Sequence, residues 1–89
     1  MLRIRALISG KVQGVYFRQS TKDEADKLGI KGFAKNLGDG SVEVVAEGAD
    51  AAVNKLIGFL HAGPEKAVVE KVIVNKEDYK GEFKRFVVC

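Results

Sequence analysis

The chain has 89 residues, 46% of them apolar and 30% charged, enough for one folded domain over residues 1–89 and too few for two. Fifteen Lys and Arg against twelve Asp and Glu leave a net charge of +3, which can steer a small anion but falls short of a nucleic-acid footprint. Cys89 is the only cysteine and His61 the only histidine, so thiolate and imidazole metal clusters and disulfide frameworks are excluded within one chain. No apolar run approaches membrane-spanning length and no charged-then-apolar leader opens the chain; a soluble, cytoplasmic monomer is the expectation.

Leu2, Ile4, Ala6 and Ile8 alternate with Arg3, Arg5, Leu7 and Ser9, a period of two that predicts a strand with one buried face. The charged residues Arg3, Arg5, Lys11, Lys84 and Arg85 read as solvated surface. Beyond Gly10–Arg18 the period changes. Phe17, Thr21, Ala25 and Leu28 share one helical face, and Gly29 offers the positive φ at which helices end, so a helix is predicted over about Phe17–Leu28. The extended segments Lys31–Leu37 and Ser41–Glu47 flank Gly38-Asp39-Gly40 and predict a hairpin, with Phe33 in the core. Asp50 is placed as N-cap of a second helix striped by Val53, Leu56, Ile57 and Leu60 and stopped by Gly63-Pro64. His61 falls in its last turn, where capping is its expected role. Strands over about Ala67–Val74 and Glu82–Val88 follow, giving a β-α-β-β-α-β order with room for an extra pair of short strands at the end. Right-handed crossovers make this a ferredoxin-like α+β sandwich, an antiparallel sheet with two helices on one face.

The loop Gly10-Lys11-Val12-Gln13-Gly14-Val15-Tyr16-Phe17-Arg18 stands where a strand hands over to a helix. Glycines let successive backbone amides turn toward one point, and a helix N-terminus adds free N–H groups and a positive dipole end. With the Arg18 guanidinium these describe a cradle for a small oxyanion. Spacing alone leaves an ordinary strand-to-helix turn equally open. The P-loop order for triphosphates is absent, as is any elbow-like glycine context around Ser9, Ser20 or Ser41.

The same nine residues closely resemble the phosphate-binding signature of the acylphosphatase family. Gly32-Phe33-Ala34-Lys35-Asn36-Leu37-Gly38-Asp39-Gly40-Ser41-Val42-Glu43 is similar to that family's second signature, with Phe33 where many members carry tryptophan. Gly63-Pro64 matches the glycine-proline after the second helix, so the resemblance covers the whole chain. It implies hydrolysis of an acyl phosphate to a carboxylate and phosphate, without metal or cofactor, and with inorganic phosphate or sulfate as inhibitor. By the same resemblance, Lys11, Val12, Gln13, Gly14, Val15, Tyr16, Phe17 and Arg18 bind the phosphoryl group. Asn36 matches the asparagine that orients the attacking water.

This chemistry suits a chain with no histidine pair. A carboxylate leaving group has a conjugate-acid pKa of about 4.3 if it resembles Glu, so it departs without a general acid. The protein must then position the phosphoryl group, stabilise charge on its oxygens and hold one water in line. The rival reading is a non-catalytic module of the same fold that binds an anion or carbamoyl phosphate. RNA binding is a weaker rival, because paired aromatics on central strands are missing.

Overall fold

The computed structural model describes all 89 residues. Its elements run β1 (Leu2–Lys11), α1 (Phe17–Lys27), β2 (Lys31–Asn36), β3 (Val42–Gly48), α2 (Asp50–Ala62), β4 (Val68–Glu77) and β5 (Phe86–Val88). They form one sheet in the order β4-β1-β3-β2-β5. The first four strands are antiparallel to their neighbours, but β5 runs parallel to β2, with Gly32 opposite Phe86 and Ala34 opposite Val88. The sheet is therefore mixed, and the purely antiparallel expectation is corrected at this edge. The last strand is also shorter than the one expected over Glu82–Val88, while β4 reaches further, to Glu77.

Alternation in β1 places Ile4, Ala6 and Ile8 on one face, opposite Ala46, Val44 and Val42 of β3. These residues are essentially inaccessible and join the buried helix residues Phe17 and Ala25 of α1 and Val53, Leu56 and Leu60 of α2 in one apolar cluster. A fully buried Leu, Ile, Val or Phe contributes roughly 1.5–3 kcal/mol, so this interface is the main source of stability. Asn36 shares that face, two residues beyond buried Ala34 on β2. Its position in the alternation turns it toward the helix layer at the end of the strand.

The opposite face departs from the expected solvated surface. Arg3 is 5% exposed and bonds Glu47 at 3.2 Å, Glu77 at 2.9 Å and Glu82 at 2.6 Å. Arg5 joins Glu77 at 2.8 Å and Glu43 at 2.6 Å. Arg3 also lies 5.2 Å from the centroid of the Phe83 ring. Phe33, expected in the core, is half-buried and stands edge-on to Phe83, with ring centroids 5.9 Å apart. The connection after β4 thus crosses the back of the sheet and covers charges that local sequence could not show as partnered.

Helix ends also refine the expectations. Ala49, not Asp50, precedes α2, and Asp50 sits in the first turn, where its charge still favours the dipole. His61 Nδ1 lies 2.9 Å from the Ile57 carbonyl oxygen, one turn back in the same helix. Gly10, read as part of the cradle, belongs to β1 at a register shift against β4, with φ of 123°. A Cβ there would lie 2.1 Å from the Val68 carbonyl oxygen, so its glycine serves strand approach.

Candidate active site

Between β1 and α1 the chain alternates between the core and the outside. Val12 and Phe17 are 1% exposed and Val15 is 8% exposed. These three side chains anchor the loop inward, and Phe17 packs against Phe59 with centroids 6.5 Å apart. Gly14 has φ of 74° and Tyr16 φ of 63°. Left-handed backbone is free for Gly14 but costs Tyr16 about 1–2 kcal/mol. The turn ends on α1, whose first turn carries no acidic residue and whose Tyr16 cap makes no side-chain hydrogen bond. The leading amides of a helix have no earlier carbonyl to bond, and here no carboxylate neutralises the positive dipole end.

These features open onto a cleft of about 360 Å³ lined by Val12, Gly14, Tyr16, Phe17, Arg18, Gln19, Asn36 and Val88. Arg18 and Asn36 are 18 positions apart in sequence, yet they share its wall because β2 ends beside the start of α1. The cleft contains one cation and no carboxylate. Arg18 Nη1 donates to the backbone oxygen of Cys89, whose own amide donates to Ala34 O at 2.9 Å. The guanidinium is thereby held from the β5 side, leaving further N–H donors in its planar fork for an anion. The Asn36 Oδ1 is buried and has no hydrogen-bond partner within the protein. A buried amide oxygen without a partner costs about 1–3 kcal/mol, and this one belongs to a residue of the cleft wall.

Of the predicted phosphate-loop residues, Val12, Gly14, Tyr16, Phe17 and Arg18 line the cleft, whereas Lys11, Gln13 and Val15 do not. Lys11 is exposed at the end of β1. The Gln13 amide instead donates to Leu37 O at 2.8 Å and Ser41 O at 3.0 Å. It ties the loop to the mouth of the β2–β3 hairpin, next to Asn36. Gln19, Val88 and the Cys89 backbone oxygen were not foreseen. Gln19 is one position past the signature, and the other two arrive from β5, whose parallel pairing leaves no local turn signal. No three His, Cys, Asp or Glu side chains are grouped so as to hold a metal ion.

The family described as Acylphosphatase matches residues 4–88. An acylphosphatase of Hahella chejuensis is 50% identical over 86 residues, covering 97% of this chain and 92% of that one. A crystal structure of acylphosphatase from Bacillus subtilis superposes with a TM-score of 0.96 at 34% identity, covering 100% of this chain and 99% of that one. The structure of an acylphosphatase from Coxiella burnetii gives a TM-score of 0.94 at 36% identity, covering 99% and 92%. Loop, fold and near full-length identity converge, and the chain belongs to the acylphosphatase family.

Proposed function

We propose that the chain hydrolyses acyl phosphates by in-line attack of a water held by Asn36 on a phosphoryl group held by the loop amides and Arg18. Acylphosphatase activity itself follows from family membership across nearly the whole chain. The division of labour rests on one observation above all: Asn36, whose buried Oδ1 has no partner within the protein, lines the same cleft as the only cation and a helix N-terminus. A carboxamide can hold a water through its oxygen and its amino group, and a water is the reactant this hydrolysis requires.

In this reading the backbone amides from Gly14 onward and the guanidinium meet charge on the equatorial phosphoryl oxygens. They do so without rearrangement, since Val12, Val15 and Phe17 fix the loop from below. The Asn36 carboxamide hydrogen-bonds the water and holds it opposite the carboxylate leaving group. The water oxygen bonds to phosphorus as the phosphorus–oxygen bond to the acyl group breaks. The electron pair leaves with the carboxylate, and the water's proton passes to a phosphoryl oxygen. A phosphomonoester, with a far more basic leaving group, reacts much more slowly at this site.

The test is Asn36→Ala with benzoyl phosphate, followed by the absorbance change on cleavage, alongside inhibition by inorganic phosphate. Turnover is expected to fall by about 100-fold or more, with phosphate inhibition nearly unchanged. Loss of phosphate inhibition with turnover retained would reverse the roles assigned to Asn36 and the loop.

A further inference from the structure

Resting on that reading, the remaining wall of the cleft bears on the acyl half of the substrate. Once the loop amides and Arg18 are assigned to the phosphoryl group, the other lining side chains offer no charge: Gln19 is a neutral amide, and Tyr16 and Val88 are apolar surface. Six large hydrophobic residues are exposed in the whole molecule, and two of them, Tyr16 at 81% and Val88 at 38%, border this one cleft. They come from different ends of the chain, Tyr16 from the loop and Val88 from β5 in register with Ala34. Their meeting is a product of the fold. Tyr16 also occupies left-handed backbone, which Gly or Asn adopts at lower cost. Its ring adds nothing to the apolar core. The strain is therefore borne by a side chain free to serve something in the cleft.

We propose that Tyr16 and Val88 form an apolar lip that receives the acyl half of the substrate, favouring uncharged and especially aromatic acyl phosphates over acyl phosphates that carry a second anion. The scissile oxygen joins the acyl carbon directly to phosphorus, so the acyl group lies within a few bonds of Arg18 and must rest on the adjoining wall. An aromatic acyl group can pack offset or edge-on against the Tyr16 ring. A second carboxylate or phosphate would instead leave water against apolar surface, with the one cation already engaged. The cleft, at about 360 Å³, falls in the range that holds compact organic ligands.

The experiment compares kcat/KM for benzoyl, acetyl and succinyl phosphate in wild type, Tyr16→Asn and Val88→Lys. Ratios within each variant cancel any general loss of activity, and comparing ratios between variants cancels the intrinsic reactivity of each substrate. Tyr16→Asn keeps a residue that tolerates left-handed backbone, and it should lower the benzoyl-to-acetyl ratio about tenfold, chiefly through KM for benzoyl phosphate. Val88→Lys places a cation on an exposed position and should raise the succinyl-to-benzoyl ratio by about threefold or more. Either ratio left at its wild-type value overturns the lip while leaving the hydrolysis mechanism standing. Failure of the wild type to hydrolyse any of the three removes the functional reading, and the lip with it.

Discussion

In the proposed mechanism Arg18 does two things at once, and its chemistry explains how. One guanidinium nitrogen is occupied by the Cys89 backbone oxygen, which restrains the fork and leaves its other donors free at the cleft that Arg18 lines. A lysine carries the same charge as a single point on a flexible stem and cannot be held from one side while gripping from the other. Arg18→Lys is therefore expected to keep the fold but lower acyl phosphate turnover by about 100-fold or more, with phosphate inhibition weakened in parallel. Measured kcat, phosphate inhibition and thermal midpoint together check this; a variant with near-normal turnover would show that charge alone suffices. The place of Arg18 on the cleft agrees with the sequence, where glycines, a change of period and the resemblance to a family signature all point to it. The left-handed Tyr16 was not legible there, since a tyrosine in that backbone is disfavoured on local grounds.

Among the elements, β5 is the one that local sequence describes least. Its three residues pair in parallel with β2, more than fifty positions earlier, and a parallel partner gives no hairpin signal. Phe86 anchors it in the apolar core, and the segment leading into it is held by the charged network on the back of the sheet. Glu47 is 3% exposed, and the amides of Lys80 and Gly81 donate to its Oε2 at 3.0 and 3.2 Å while Arg3 bonds it from β1. Burial works against the charged Glu47, but the Lys80 amide, Arg3 and the Gly81 amide outweigh it and hold the carboxyl below its ordinary value of 4.5. Hydrogen bonds from Arg5 and Arg3 likewise lower Glu77. A carboxyl depressed on folding contributes stability that is complete above its unfolded pKa and lost as pH falls through the folded value. Glu47→Gln is thus expected to be less stable than wild type by about 2–3 kcal/mol at pH 7, with the gap closing below pH 4.5. Denaturant titrations of both proteins from pH 7 to 3 check this. A gap independent of pH would mean that the charge of Glu47 is immaterial.

For the molecule as a whole, patterning conveyed the layers and the strand-to-helix loop that borders the cleft, but not how the chain is closed. Alternation in β1 and β3 and the stripes of α1 and α2 correctly assign the residues that meet in the core, because each pattern is imposed by one apolar interface. The hairpin between β2 and β3 is equally local, and it places Asn36 at a strand end. Arg3 and Phe33 escaped because their surroundings come from the segment after β4, remote in sequence and lying over the opposite face. The result is a sheet held by apolar packing on one side and by paired charges on the other, with the cleft where β1 meets α1 and β2 and β5 end. In the proposed mechanism this cleft directs water to phosphorus. Hydrolysis of benzoyl phosphate in oxygen-18 water, followed by mass analysis of both products, tests it most directly. One labelled oxygen in inorganic phosphate and none in benzoate is the predicted result; label in the benzoate would place the attack at the acyl carbon and contradict the account.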